Sequence, residues 1–509
     1  MELFLEKKES VNSPFSISAC MREGSMTVKL TIIGAGPGGY VAAIRAAQKG
    51  AQVTVVEGAE VGGTCLNWGC IPTKTLIASA EALERTRRAG EYGVEVSGTI
   101  GFNLSRILER KDKIVSTQIK GIRGLLKSRG VTLMEGRGSL VSNAVVRVEK
   151  KDGSIIDVRS DKIIIATGSR PAKLAGFPFD GERVMTSDDA VQLKRIPKSI
   201  LIVGAGVIGS EFAFIYRAFG AEVTLAELMP HALSTEDEEL SGIIEREFKK
   251  AKIKLITNVK VVSVTKGPDN MMTALLSDGR EVRTEAILVS IGRSMNSEDI
   301  GLEAIGVNKG SRGEITVNGR METNVAGIYA IGDVTGNAML AHVASHQGLV
   351  AAENALGNDA VMDYAVVPAG IFTMPEIGSV GMREQQVREK GIAYRVGRFP
   401  FRGLGKAHAM GEITGLAKII ADADTDKILG VHLCGAHAAD LIHEGALAMQ
   451  MGATSEQLGQ MIHAHPTLAE AVMEAAEDVH GMAIHTIKPG NLPAAGPGSE
   501  GLDAKPGGD

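Results

Sequence analysis

Short apolar runs closed by glycine recur along the chain, each followed by an alanine-rich or amphipathic stretch. Val28–Ile33 reads as a buried strand, Gly34-Ala35-Gly36-Pro37-Gly38-Gly39 as a tight turn, and the alanine-rich segment to Lys49 as a helix. A second run, Gln52–Val56, ends at Glu57. The same order returns later: Ser199–Val203, then Gly204-Ala205-Gly206-Val207-Ile208-Gly209, a helix to Phe219, and Glu222–Ala226 ending at Glu227. In both copies the acid lies 23 residues after the first glycine. Apolar runs that alternate with helices read as parallel strands buried on both faces.

A glycine triplet alone is a weak signal, and ordinary turns between strand and helix can produce one. Here each triplet has a strand before it, a helix after it and an acid at the tip of the next strand. The glycines permit the turn, close approach of a pyrophosphate and close helix packing. The helix N-terminus favours phosphate charge, and the acid accepts from ribose hydroxyls. Two such sites imply two dinucleotides, and a flavin with a nicotinamide is the simplest pair that passes electrons. Further strands lead into Ala166-Thr167-Gly168-Ser169-Arg170-Pro171, into Ser290-Ile291-Gly292-Arg293, and into Gly332-Asp333. From Tyr364 strands and amphipathic helices alternate without a fingerprint, which reads as a separate α+β domain. The predicted class is therefore α/β, with two Rossmann-like units and a C-terminal α+β domain.

Composition narrows the classes. The 509 residues are 44% hydrophobic and 23% charged, enough for about three soluble domains. A net charge of −5 and the lack of a long basic run argue against a nucleic-acid surface. No apolar stretch reaches the roughly 18 residues of a membrane span. Residues 1–25 carry four Glu and fit neither a secretory signal nor an acid-poor presequence, so a cytoplasmic location is expected. Residues 1–26 read as a disordered extension and 487–509, rich in Pro and Gly, as a disordered tail.

The four cysteines are Cys20, Cys65, Cys70 and Cys434. Cys65 and Cys70, separated by four residues, sit behind the first fingerprint in Gly62-Gly63-Thr64-Cys65-Leu66-Asn67-Trp68-Gly69-Cys70-Ile71-Pro72-Thr73-Lys74. Too few cysteines are present for a secreted scaffold, and no second pair or Cys-His cluster completes a zinc site, so no metal is expected. Pro72 suits the first turn of a helix, which puts Cys70 at its N-terminus, where the dipole stabilises a thiolate. A structural disulfide or two idle thiols would show the same spacing. Pro466 disfavours helical geometry at His465, which leaves that imidazole on a loop, with Glu470 one turn into the following helix and able to hold the ring. His463 reads as structural.

These motifs, in this order, resemble the pyridine nucleotide–disulfide oxidoreductase family over about residues 27–486. The resemblance is carried by GAGPGGY (34–40), GGTCLNWGCIPTK (62–74), ATGSRP (166–171), GAGVIGSEFA (204–213), AIGDVTGNAMLAHVA (330–344), PAGIFTMPEIGSVG (368–381) and HAHPTLAE (463–470). It implies an FAD-binding domain at 27–173, an NAD-binding domain at 174–298, a return to the central domain at 299–363 and a dimerisation domain at 364–486. It implies FAD at Gly34, Gly36, Gly38, Gly39, Glu57, Thr64, Lys74, Gly138, Thr167, Gly168, Ser169, Asp333, Met339, Leu340, Ala341 and His342. It implies NAD at Gly204, Gly206, Gly209, Glu211, Glu227, Val261 and Gly292.

By the same resemblance Cys65 exchanges with the substrate's sulfur, Cys70 faces the flavin, and Lys74 pairs with Glu211 near the flavin. His465, held by Glu470, is the general base and acts across a homodimer. An acid at Glu227, where NADPH-linked members carry arginines nearby, implies NAD. The absence of a cysteine beyond Cys434 and the presence of the close pair imply oxidation of dihydrolipoyl groups, presented by the lipoyl domain of an acyltransferase or a glycine-cleavage component. Reduction of another small disulfide or a quinone, and a non-catalytic scaffold role, are the competing readings. One departure stands out: Met295 replaces the proline of the family's GRxPN segment.

Overall fold

The computed structural model describes residues 27–486. The expectations for residues 1–26 and 487–509 lie outside the described residues. The first parallel sheet has five strands in the order Ile328–Ala330, Lys162–Ile165, Lys29–Ile33, Gln52–Glu57, Thr132–Glu135. The second has Val184–Met185, Ala286–Val289, Ser199–Val203, Glu222–Ala226, Lys254–Ile256. Each fingerprint strand is thus central, beside the strand that carries its acid. The register matches as well: Lys29 faces Gln52 and Ser199 faces Glu222. Each unit also carries a three-stranded antiparallel layer, 137–159 in the first and 261–284 in the second. Central strands bury both faces, which is why Leu30, Ile32 and Ile33 are at most 3% exposed and the sequence shows no alternation.

The helices after the fingerprints are Pro37–Gln48 and Val207–Ala218, each one residue shorter than the sequence suggests, with Lys49 and Phe219 as caps. Gly34 turns with φ +107° and Gly204 with +97°. A Cβ at Gly39 would lie 2.0 Å from the Gly34 carbonyl, and one at Gly209 would lie 1.9 Å from that of Gly204. Helix and strand therefore touch backbone to backbone, a distance only glycine allows.

The C-terminal unit is a five-stranded antiparallel sheet, Ala369–Ile371, Glu376–Gly381, Ile428–Gly435, Leu416–Asp422, Tyr394–Pro400, covered by the helices Ala438–Gln450 and Glu470–Asp478. The mixed α/β class with a C-terminal α+β unit is as the sequence implies. Glu470 opens its helix rather than standing one turn inside it, because 464–469 remain irregular around Pro466. Met295 is 6% exposed and packs in the core below the Gly336 turn, while its backbone pairs with Ser169. Among the described residues, no helix is long and apolar enough to cross a membrane.

A charged cluster ties the second dinucleotide unit to the C-terminal sheet. Lys418, whose side chain is 1% exposed, reaches Asp237 at 2.8 Å, Glu239 at 2.7 Å and Glu384 at 2.6 Å. Arg398 adds Glu239 at 2.7 Å and Glu384 at 3.0 Å. Burial works against the Lys418 charge, but the three carboxylates outweigh it and raise its pKa. Replacing one member of such a cluster leaves buried charge uncompensated, which costs about 3–5 kcal/mol. Lys418→Met, which keeps the volume, is therefore expected to lower stability by about that amount, measured by urea unfolding. A loss indistinguishable from zero would show that the cluster is not a tether.

Candidate active site

The first fingerprint opens onto a cavity of about 470 Å³, a size typical of cofactor sites. Gly34, Gly36, Gly38, Glu57, Thr64 and Gly138 line one part of it, and Thr167, Gly168, Ser169, Asp333 and Ala341 another. Its floor is tight: a Cβ at Gly138 would come within 3.1 Å of both Ile33 and Val56. On the cavity side there is room, since a Cβ at Gly36 would meet only the Gly63 Cα at 3.9 Å and one at Gly168 nothing within 4 Å. The Glu57 carboxylate accepts the Ala35 and Ala59 N–H groups, each at 2.7 Å, which aims it at the turn. Burial pushes its pKa up, opposed by those backbone bonds. A phosphate-sized gap at a helix N-terminus with an acid beside it fits a dinucleotide such as FAD.

Opposite the turn, the Arg293 Nε donates to Ser169 Oγ at 2.6 Å and lies 3.8 Å from Asp333, while Ser169 Oγ also contacts Asp333. The site is thereby closed by a strand pair, Ser169–Pro171 with Arg293–Met295, from distant parts of the chain. Of the four positions expected in 339–342, Ala341 lines the cavity and opens the helix Ala341–Ala355, capped by Leu340. Met339 is 37% exposed, and His342 Nε2 lies 2.8 Å from the Pro368 carbonyl. Trp68 also lines the cavity, between the two cysteines in sequence.

The second unit repeats the arrangement. Glu227 accepts the Ala205 N–H at 2.5 Å and the Met229 N–H at 2.8 Å. A Cβ at Gly206 or at Gly292 would meet nothing within 4 Å, whereas at Gly204 it would strike the Ser290 carbonyl at 2.5 Å. The residues therefore fit a second dinucleotide. Val261 is 3% exposed, its side chain within the core of the antiparallel layer.

Cys65 lies on the short helix Gly63–Asn67, and Cys70 is the first residue of the helix Cys70–Arg87, capped by Gly69. Asn67 holds the short helix by donating to the Val61 and Gly63 carbonyls at 3.1 and 3.0 Å. Both cysteines are free thiols, half-buried, and the pair divides its protons unequally. The Cys65 thiol hydrogen-bonds to Cys70 and, with Lys74 and against burial, brings the Cys70 pKa down to about 7. The same bond, together with burial, drives the Cys65 thiol upward. Such a pair favours the thiolate at Cys70 and keeps the proton at Cys65.

One turn into the same helix, Lys74 Nζ meets both oxygens of Glu211, at 2.8 and 2.9 Å. Glu211 is 3% exposed and sits on the helix after the second fingerprint, so this pair joins the two dinucleotide units. Phe372 completes it: its N–H donates to Glu211 at 3.0 Å and its ring lies 4.5 Å from the Lys74 ammonium. Sequence reading passed over Phe372, since an aromatic just past the short strand Ala369–Ile371 shows no polar signature and its role lies in a backbone N–H and a ring face.

His465 Nδ1 lies 2.8 Å from Glu470 Oε1, and the other oxygen accepts the Thr467 N–H at 2.9 Å. A carboxylate only accepts, so Nδ1 carries the proton and Nε2 is left as the base. Burial opposes ionisation of Glu470, yet the Thr467 N–H and His465 hold its pKa below the usual range. His465 is 77% exposed and makes no hydrogen bond to either cysteine of its own chain. His463 is 2% exposed and fixed between Glu444 at 2.6 Å and the Met461 carbonyl at 2.8 Å.

Residues 28–348 match the pyridine nucleotide-disulphide oxidoreductase family, and residues 367–476 match that family's dimerisation domain. The chain belongs to the pyridine nucleotide-disulphide oxidoreductase family. Among this oxidoreductase's relatives, a dihydrolipoyl dehydrogenase of Bacillus subtilis is 44% identical over 469 residues, covering 90% of this chain and 98% of that protein. A mitochondrial dihydrolipoyl dehydrogenase of Pisum sativum is 41% identical, covering 94% of this chain and 97% of its own. Among solved structures, LpdA from Mycobacterium tuberculosis superimposes with a TM-score of 0.84 at 31% identity, over 89% of this chain and all of that one.

Two outcomes are expected of the oxidoreductase. Removing the hydrogen-bond donor in Cys65→Ala is expected to raise the Cys70 pKa from about 7, read as an alkaline shift in the pH dependence of Cys70 alkylation, followed by peptide mass. An unchanged midpoint would mean that Lys74 and the helix terminus set it. Lys74→Met leaves Glu211 buried with only the Phe372 N–H. Because the Lys74 side chain is 30% exposed, the cost is about 2 kcal/mol, below that of a fully buried pair, and is read by thermal unfolding.

Proposed function

We propose that this oxidoreductase is a dihydrolipoyl dehydrogenase, oxidising dihydrolipoyl groups to the cyclic disulfide with NAD⁺ as final acceptor. The observation that carries the reading is the unequal thiol pair, with Cys70 at a helix N-terminus, interleaved in sequence with Thr64 and Trp68 of the first dinucleotide cavity and joined through Lys74–Glu211 to the second unit. Gly34, Glu57, Gly138, Ser169 and Asp333 line the cavity that would hold FAD, which would supply two-electron transfer between the dithiol and NAD⁺.

The residues then divide the work. His465 Nε2 removes a proton from one substrate thiol, and Glu470 offsets the charge that the ring acquires. The substrate thiolate attacks Cys65 Sγ in the Cys65–Cys70 disulfide, that bond breaks, and Cys70 departs as a thiolate. The second substrate thiol attacks the substrate sulfur of the mixed disulfide and closes the lipoyl ring, the bond to Cys65 breaks, and Cys65 takes up the proton that the attacking thiol loses. Lys74 and the helix N-terminus stabilise the thiolate that leaves at Cys70, so exchange is directed to Cys65. Lys74 holds positive charge where the dithiol's electrons are delivered.

The exposed His465 suits a base that serves the cysteines of the second subunit, so the active unit is a homodimer built through 364–486. Residues 27–173 and 299–363 hold FAD at Gly34, Glu57, Gly138, Ser169 and Asp333, and 174–298 hold NAD at Gly204, Gly206, Gly209, Glu227 and Gly292. The dithiol arrives on the lipoyl domain of an acyltransferase or a glycine-cleavage component. We place the enzyme in the cytoplasm, where reducing conditions keep a thiol such as Cys434 unpaired.

Purified protein supplied with dihydrolipoamide and NAD⁺ is expected to form NADH, and Cys65→Ser to lose at least 1,000-fold in kcat (an order-of-magnitude expectation for removing a covalent nucleophile). Wild-type protein that reduces NAD⁺ only from other donors would overturn the assignment. Turnover undiminished in Cys65→Ser would show that the pair is idle.

A further inference from the structure

The helix Leu104–Ser128 carries seven basic residues against two acidic ones in a chain whose net charge is −5. The cations are scattered at 106, 110, 111, 113, 120, 123 and 127, so no long basic run appears in the sequence. The helix gathers five of them: Arg106, Arg110, Lys113, Lys120 and Lys127 follow the i, i+4, i+7 spacing of one face, with Thr117 and Gly124 filling the two remaining steps. All seven positions are exposed. Arg110 reaches the Thr75 carbonyl at 3.4 Å, and Arg106, Lys113, Lys120 and Lys127 form no ion pair among the described residues. The acids do not neutralise the row: Asp112 pairs with the buried Lys111, and Glu109 stands on its flank.

Place matters as much as charge. The opposite face of this helix packs inward through Leu104, Ile107, Leu108, Ile122 and Leu126. The helix lies against both the short helix that carries Cys65 and the helix that begins at Cys70. The cationic row is therefore mounted on the element that backs the thiol pair. Its length, 22 residues from Arg106 to Lys127, is about 30 Å along the axis, close to the width of one small domain.

We infer that this row is the docking surface for an acidic protein domain that delivers the dithiol to Cys65. The inference rests on the proposed function and specifies the partner's chemistry. A second copy of this chain is a poor occupant, because a row of five cations without an apolar centre lacks the composition of a stable protein interface. A nucleic acid is disfavoured by the net negative charge of the remaining surface. Exposed cations contribute mainly by steering, so their effect falls on encounter rate and KM and weakens with salt.

The test compares two substrates of the holoenzyme: free dihydrolipoamide, and a dihydrolipoyl group on a strongly acidic protein domain. In Lys113→Glu/Lys120→Glu/Lys127→Glu, KM for the carried group is expected to rise about tenfold at low salt, with kcat kept. Turnover of free dihydrolipoamide should stay within about twofold of wild type, which also reports folding. Lys→Gln at the same three positions should give a smaller rise, and about 0.3 M salt should erase the difference. Equal KM values in wild type and variant would overturn the inference, as would a changed oligomeric state or tighter binding of duplex DNA than of the acidic domain. Failure of wild-type protein to oxidise free dihydrolipoamide would strike the proposed function instead. Calorimetric binding of the acidic domain would still read the row, and equal binding by wild type and variant would overturn it.

Discussion

Backbone contact at the two glycine turns is the constraint on which the remaining architecture depends. At Gly34 and Gly204 the chain turns with positive φ, and at Gly39 and Gly209 the following helix rests on the carbonyl of that turn. No side chain fits between them. The helix N-terminus is thereby held directly over the strand end, in the first unit beside the cavity that Gly34, Gly36 and Gly38 line. The acid at the next strand tip is held by the same kind of bonds in both copies, Glu57 to Ala35 and Ala59, Glu227 to Ala205 and Met229. Two cofactor sites follow from one repeated contact.

What joins them is electrostatic. The helix that begins at Cys70 leaves the first unit and presents Lys74 to Glu211 on the fingerprint helix of the second. Cys70, the cation and the contact to the second unit therefore share one helix. Hydrogen bonding within the pair separates the affinities of two chemically identical side chains, a larger effect here than the burial that opposes it at Cys70. The Lys418 cluster joins the second unit to the C-terminal sheet with a comparable economy of residues.

Much of this was legible before any coordinates. Strand, turn, helix and acid recur at identical spacing, and parallel strands buried on both faces show themselves as unbroken apolar runs. Cys70 at a helix start was readable from Pro72, and the His465–Glu470 contact from a proline that keeps the intervening segment short. Other features had no local signal. Phe372 acts through a backbone N–H and a ring face. Arg293, Ser169 and Asp333 meet only because two short strands, 124 residues apart, pair edge to edge. The cationic row on 104–128 is invisible as a run, since only helical geometry brings residues three and four apart onto one face.

By itself, the sequence determined the local conformations and the chemistry on offer: where glycine must turn, where a helix starts beside a thiol, and which acids and bases are present. These depend on sterics and hydrogen bonds within a few residues. The tertiary structure alone decided which of those groups act together. Lys74 acquires Glu211 because helices from two separate units pack against each other. His465 remains exposed because nothing among the described residues covers it. Those outcomes depend on long-range packing and desolvation, quantities that no local window of the chain contains.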